Sequence, residues 1–177
     1  MSRPRIIAGS AKGRALEIPK QGTRPSPARL REALFNILAF EEKGRFLDLY
    51  AGTGAIALEA ASRGWQATCV EIGAQASSVI RRNAYRLGLE VDSVQTDALR
   101  FVTQHPQSFQ IVFAAPPYPL ELEPIFQDIL DSQVAMPKGM YVFQYPKGLS
   151  LHLSYQGEVL ELKERNYGSN SIAIIEA

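Results

Sequence analysis

The sequence predicts an α/β fold built on an open sheet with a short basic appendage at its N-terminus, and three observations predict it. Residues 45–59, RFLDLYAGTGAIALE, pass from an apolar run (Phe46, Leu47, Leu49, Tyr50) through the turn Ala51-Gly52-Thr53-Gly54 directly into the helix formers Ala55–Glu59. Downstream, apolar runs and amphipathic stretches alternate, which is the pattern of strands connected by helices. The 177 residues, 46% hydrophobic and 21% charged, hold enough apolar material for one core. The strand–turn–helix unit is the centre of this organisation, because in open α/β sheets ligands bind at the carboxyl end of a strand beside a helix N-terminus. Gly52 and Gly54 suit a main chain that a ligand approaches closely, and equally a plain strand-to-helix turn.

In chain order, the basic segment comes first. Residues 1–40 carry eight Lys/Arg (Arg3, Arg5, Lys12, Arg14, Lys20, Arg24, Arg29, Arg31) against Glu17 and Glu32, a net +6, while eleven basic and sixteen acidic residues leave the remainder at −5. A basic segment on a mildly acidic domain is the charge layout of a polyanion-binding arm, since each cation near a phosphate releases condensed counterions. A solvated tail is the alternative. Arg5–Gly9 and Arg14–Pro19 alternate like paired strands with Gly9 to Gly13 turning between them, which favours an ordered hairpin. Residues 1–22 are assigned to this hairpin and 23–177 to the domain proper, with Arg3, Arg5, Lys12, Arg14, Arg24 and Arg29 as nucleic-acid contacts. Ser26 as N-cap, Pro27 at the first helical position and Leu30, Leu34, Ile37 and Leu38 at helical spacing predict an amphipathic helix on the sheet. Arg29 and Arg31 are expected outside its apolar stripe.

Beyond the central unit, Ala67–Glu71 reads as a buried strand ending in an acid, and Ala74–Leu87 as a helix closed by Gly88. Glu71 follows Gly52 at nearly the spacing at which an acid reaches ribose hydroxyls, accepting two hydrogen bonds. A third strand, Asp92–Thr96, runs into Asp97-Ala98, where Asp97 either receives an adenine amino group or caps the next helix. Two acids at successive strand ends beside a glycine turn point to an adenosine-containing cofactor. The fourth strand, Phe109–Ala114, stops at Ala115-Pro116-Pro117-Tyr118-Pro119. Its prolines fix φ and remove amide donors, leaving carbonyls free, and Tyr118 offers a flat face for a flipped-out base. The loop is either a rigid surface turn or the stacking wall that methylation of an exocyclic amino nitrogen needs. A fifth apolar strand follows at Met140–Phe143.

No apolar stretch approaches the roughly 20 residues that span a bilayer, and no charged-then-apolar signal opens the chain, so a cytoplasmic protein without membrane contact is expected. Cys69 alone makes neither a disulfide nor a zinc cluster, and no metal site is expected. His105 and His152 have no second histidine nearby, and Cys69 and Trp65 suit packing roles.

The motifs RIIAGSAKGRALEIP, RPSPARLREALFNIL, FLDLYAGTGAIALEAASRG, VEIGAQA, TDALRF, APPY and NYGSNSIAIIEA, in this order and spacing, cover nearly the whole chain. Together they resemble the RsmD-type bacterial methyltransferases that act on the N2 amine of guanine in 16S ribosomal RNA. The resemblance implies a Rossmann-like class I S-adenosylmethionine-dependent methyltransferase with a seven-stranded, mostly parallel sheet. Its last hairpin, Glu158–Lys163 with Ser171–Glu176, would place one antiparallel strand between others. It further implies S-adenosylmethionine held by Asp48, Ala51, Gly52, Thr53 and Gly54 at the methionine end, by Glu71 at the ribose and by Asp97 and Ala98 at the adenine. Ala115, Pro116, Pro117 and Tyr118 would form the catalytic loop, with Tyr118 stacking on guanine. Ribosomal RNA, free or within a small subunit, is the implied partner.

One position departs from that pattern. The family's loop begins with Asp or Asn before Pro-Pro-Tyr, and here residue 115 is Ala. The missing oxygen would accept a hydrogen bond from the guanine amine and align it with the methyl donor. Carbonyls near Ala114, Ala115 and Pro116 are one replacement. Methylation of another amino nitrogen, or a catalytically weak assembly protein that binds cofactor and RNA, are the other readings.

Overall fold

The predicted alternation of strand and helix resolves into five helices and nine strands among the described residues, 3–21 and 24–177 of a computed structural model. In chain order these are α1 (Ala28–Ile37), β1 (Arg45–Leu49), α2 (Ala55–Ser62), β2 (Gln66–Val70), α3 (Ala74–Leu87), β3 (Val91–Val94), α4 (Ala98–Thr103), β4 (Phe109–Ala114), α5 (Leu122–Asp131), β5 (Ala135–Pro146), β6 (Ser154–Tyr155), β7 (Glu158–Val159), β8 (Lys163–Tyr167) and β9 (Asn170–Glu176). Seven strands form one sheet in the order β3-β2-β1-β4-β5-β9-β8. The first five run parallel, and β9 is antiparallel to both of its neighbours. The chain winds outward from β1 to β3 and then returns to place β4 on the other side of β1. That reversal opens a crevice at the carboxyl ends of β1 and β4.

Two apolar faces explain why the strands read as continuous hydrophobic runs. Leu47, Leu49, Val112, Ala114 and Phe143 pack with Phe101 of α4 and Phe126 and Ile129 of α5. On the opposite face Phe46, Ile111, Phe113 and Val142 meet Leu30, Leu34 and Phe35 of α1, Ile56 and Ala60 of α2 and Ile80 of α3. The result is a three-layer sandwich with the sheet buried in the middle. Phe126 stacks on Phe143 with ring centroids 4.4 Å apart. Trp65 closes the end of α2, edge-on to Phe46. Cys69 is buried, and burial pushes its thiol up to about 12.

Residues 4–16 form a hairpin with one antiparallel bridge, Arg5 to Ala15, and backbone bonds from Ile6 N to Arg14 O (2.9 Å) and from Gly13 N to Ile6 O (2.8 Å). Its apolar side chains, Ile6, Ala11 and Leu16, are buried against Ala55 and Leu58 of α2 and Ala84 and Leu87 of α3. The turn lies so close to α2 that a Cβ on Gly9, whose φ is +90°, would fall 1.9 Å from the Ser62 carbonyl oxygen. The expected junction between hairpin and domain at residues 22 and 23 lies outside the described residues.

Four expectations need correction. Arg31 does not face solvent: it is 1% exposed, with Nη1 donating to the Arg5 carbonyl (3.1 Å) and to Glu59 Oε1 (3.2 Å). The buried stripe of α1 includes residues 31 and 35 beside 30, 34 and 38, because the hairpin covers the flank that Arg31 occupies. Ser26 is not the N-cap. The helix begins one residue later than the Ser-Pro pattern suggests, Pro27 takes the cap position, and the Leu30 and Arg31 amides donate to its carbonyl. In the last hairpin, Glu158–Lys163 is not the partner of Ser171–Glu176; β8 is. Gln156 and Gly157, at φ +52° and +84°, form a two-residue turn that pairs β7 with β6 in a separate ribbon, and Val159 stays 86% exposed. The fifth strand also starts earlier than Met140, its first residues pairing with β4 across a register shift between Phe109 and Ile111.

Candidate active site

The crevice at the β1–β4 reversal is a cavity of about 570 Å³, in the range of small-molecule sites. The segments after β1 (Tyr50–Thr53), β2 (Glu71, Ile72), β3 (Thr96–Ala98) and β4 (Ala115–Tyr118) wall it, together with Gln144 of β5, the β8–β9 turn and the segment from Arg24 to Pro27. A parallel sheet brings these loops together because every one of them follows the carboxyl end of a strand.

The turn after β1 is held in an uncommon backbone conformation. Tyr50, Gly52 and Gly54 have φ of +58°, +56° and +76°. Gly54 is required twice over, since a Cβ there would also approach Ile80 Cγ1 to 2.6 Å. The first amides of α2 are already used. Ala55 N donates to Thr53 Oγ1 (3.3 Å) and Ala57 N to Asp48 Oδ2 (3.1 Å). Asp48 therefore occupies the place where a dinucleotide fold would hold pyrophosphate, and the Ala57 amide it engages is not free for an anion. Burial pushes the Asp48 carboxyl up to about 8, with Glu71 adding repulsion and the Ala57 amide pulling the other way.

Glu71 reaches back across the mouth of this turn. Oε1 accepts from Gly52 N (2.8 Å) and Oε2 from Gly73 N (2.7 Å), so each oxygen keeps acceptor capacity toward the cavity. Asp97 performs the capping alternative: Oδ2 accepts from Arg100 N at 2.9 Å at the start of α4. It also lines the cavity beside Ala98.

On the far wall the Pro-Pro-Tyr loop follows β4, with Pro116 buried and Tyr118 41% exposed. The Tyr118 hydroxyl donates to Asn170 Oδ1 at the start of β9 and accepts from Gln144 Nε2 (3.3 Å). Gln144 is 8% exposed, and its Oε1 is buried without a hydrogen-bond partner among the described residues. An orphan buried acceptor costs about 1 to 3 kcal/mol, so it calls for an explanation.

Of the residues singled out in the sequence, Ala51, Gly52, Thr53, Glu71, Asp97, Ala98 and the Ala115–Tyr118 loop share this one cavity. Asp48 and Gly54 lie behind its wall and shape the turn. Arg24 is at the mouth, whereas the tip of the hairpin with Lys12 sits by Ser62 at the opposite end of α2. Arg3, Arg5, Arg14 and Arg29 are exposed, with Arg5 donating to the Gly13 carbonyl at 2.9 Å. Sequence reasoning missed Tyr50, Ile72, Gln144 and the Ser169–Asn170 corner. Only Gln144 carried a signal, as a polar residue on the apolar run Tyr141-Val142-Phe143. Among the described residues no helix is long and apolar enough to cross a membrane, and no three His, Cys, Asp or Glu side chains cluster as metal ligands.

The sequence model of a family described as conserved hypothetical protein 95 matches residues 4–176. A solved structure of a hypothetical protein from Thermus thermophilus is 38% identical, with a TM-score of 0.87 over 98% of this chain and 99% of that one. The ribosomal RNA small subunit methyltransferase D of Escherichia coli K12 is 38% identical over 118 residues, 64% of this chain and 60% of the relative. A 16S rRNA N2 G1207 methyltransferase of T. thermophilus shares the fold at 20% identity, with a TM-score of 0.69 over 89% of this chain and 45% of that one.

Proposed function

The chain belongs to the family described as conserved hypothetical protein 95, the RsmD family, and on that premise we propose that it methylates the exocyclic N2 of a guanine in 16S ribosomal RNA. An S-adenosylmethionine-dependent methyltransferase acting on ribosomal RNA follows from the family and from the class I fold. The guanine N2 assignment is supported by a single cavity that joins two strand-end acids to a proline-locked aromatic loop.

The residues present fit S-adenosylmethionine. Glu71 offers free lone pairs to ribose hydroxyls, Asp97 and Ala98 stand at the adenine end, and the Asp48-capped turn leaves the Ala57 amide unavailable to the phosphate a dinucleotide would bring. When bound, the sulfonium supplies an activated methyl group. The protein's own work is to bind, orient and exclude water. Tyr118 supports the base, the carbonyls of the loop face the amine, and Pro116 and Pro117 keep that wall rigid. Residues 1–22 act as an RNA-docking arm on the methyltransferase domain of residues 23–177, through Arg3, Arg5, Lys12 and Arg14, while Arg24 and Arg29 guide RNA toward the mouth.

The test is transfer of labelled methyl from S-adenosylmethionine to small ribosomal subunits or 16S RNA from cells lacking this modification, followed by digestion to nucleosides. N2-methylguanosine is expected. Another labelled nucleoside, or label in protein, overturns the guanine assignment. Ala115 favours one second reading, a cofactor- and RNA-binding assembly protein, and a single-turnover experiment without transfer despite tight cofactor binding would establish it.

A further inference from the structure

In the sheet, Ala114 of β4 pairs with Phe143 of β5. Ala115, the first residue after β4, therefore lies beside Gln144, which stays in β5 and pairs with Ile172 of β9, and both line the cavity. One ends in a methyl group. The other carries the single buried side-chain atom left without a hydrogen-bond partner among the described residues, Gln144 Oε1. From this juxtaposition we infer that Gln144 supplies, from the neighbouring strand, the side-chain acceptor that residue 115 lacks, and that it receives a hydrogen bond from the exocyclic amine of the acceptor base. This rests on the guanine N2 reading above.

As the hydrogen bonds stand, Oε1 is the free end of the amide. The Tyr118 hydroxyl gives its proton to Asn170 Oδ1, so it can only receive from Gln144, and Nε2 is the end that donates to it.

In the transfer, the N2 lone pair forms the new N–C bond as the C–S bond breaks and its electron pair stays on sulfur. The surplus proton leaves N2 for water. An acceptor on one N–H draws the lone pair out of conjugation with the ring and aims it. A glutamine amide takes no proton at neutral pH, so Gln144 positions the amine and does not act as a base.

Two measurements test this. In single-turnover transfer to unmethylated small ribosomal subunits, Gln144→Leu should lower the rate about 10- to 100-fold, the worth of one well-aimed hydrogen bond, with S-adenosylhomocysteine affinity unchanged. Adding Ala115→Asn to Gln144→Leu should restore much of that rate, because it returns an acceptor to the same corner. Independently of turnover, protein saturated with S-adenosylhomocysteine should bind guanosine monophosphate better than inosine monophosphate, which lacks the amine, and Gln144→Leu should erase that preference. A Leu variant as fast as wild type, a loss that Ala115→Asn does not rescue, or a preference that survives the substitution each overturns the proposal. Should Gln144→Leu fail to fold, Gln144→Met is read in the same two assays. If wild type yields a methylated nucleoside other than N2-methylguanosine, the guanine reading fails, while the nucleotide preference still decides whether Gln144 recognises an amine.

Discussion

Glu59 and Glu71 both reach back to hold two backbone amides each, and they differ in what they have left. Glu59 is fully buried. Its oxygens accept from the Ile7 (2.8 Å) and Ala8 (3.1 Å) amides of the hairpin and from Arg31 (3.2 Å) and Arg63 (2.9 Å), so its acceptor capacity is filled. Glu71 holds Gly52 and Gly73 and stands on a cavity wall with lone pairs to spare. A carboxylate with every site filled fastens one part of the chain to another, whereas one with sites open is a fitting for something else. The same distinction separates Arg31, whose cation is neutralised in the core, from Arg24, which is exposed at the mouth.

The sharpest way to break the comparison is at Glu59. Glu59→Ala leaves the Arg31 cation buried beside two unpaired amides, and the unfolding free energy in urea should fall by about 3 to 5 kcal/mol. Replacing Arg31 with Met in the same chain should recover part of the loss, and an unchanged midpoint would mean that the hairpin is not clamped. Glu71→Ala should act on the ligand instead, weakening S-adenosylhomocysteine by about tenfold or more, roughly 1.5 to 3 kcal/mol in calorimetry, with a smaller effect on unfolding. Equal affinity for the two proteins would remove Glu71 from the site.

Asp48 sharpens the contrast as a third carboxyl, buried like Glu59 but with one amide partner. It keeps its proton to about pH 8 in the fold, against 3.8 in the unfolded chain. Because the folded value is raised, the stability it contributes is complete below pH 4 and is lost as pH climbs from about 4 to 8, with a slope of up to about 1.4 kcal/mol per pH unit. Asp48→Asn should lack that slope, so urea midpoints at pH 5 and pH 8 should diverge in favour of the variant. A wild-type slope retained by the variant would assign the titration to another group. The smallest effect is expected at the hairpin surface. Changing Arg3, Arg5, Lys12 and Arg14 to Gln should flatten the plot of log RNA affinity against log salt by about 0.7 to 0.9 per lost contact, leaving cofactor affinity alone. An unaltered slope would make the hairpin structural only.

What was legible in the sequence was whatever depends on local periodicity. The bounds of α3 and β4 match the expected Ala74–Leu87 and Phe109–Ala114, because a glycine C-cap and a proline stop mark their ends. Glu71 announced itself as an acid at the end of an apolar run, and Asp97 as an acid at the end of an expected strand. Arg31 was misread because an arginine beside a helical stripe looks exposed until another segment lies over it, and that segment is more than twenty residues away. Gln144 and the Ser169–Asn170 corner join the site only through the β4–β5–β9 pairing, which no local pattern encodes. The exchange of β8 for Glu158–Lys163 has the same origin, a tight turn that commits its flanks to each other.

The seat of β9 also determines the order in which the molecule can be assembled. It pairs on both sides, with β5 and β8, yet among the described residues it follows every other strand in sequence. Among the described residues, β8 has no sheet neighbour other than β9, so it waits unpaired until Asn170–Glu176 has left the ribosome. Meanwhile the nascent chain presents the Met140–Pro146 edge of β5 bare, and an open edge beside apolar surface is the usual template for misassociation. Asn170, which anchors Tyr118, arrives with the same strand that covers that edge. Translation therefore delivers the cover for the β5 edge and the anchor for Tyr118 in a single docking event.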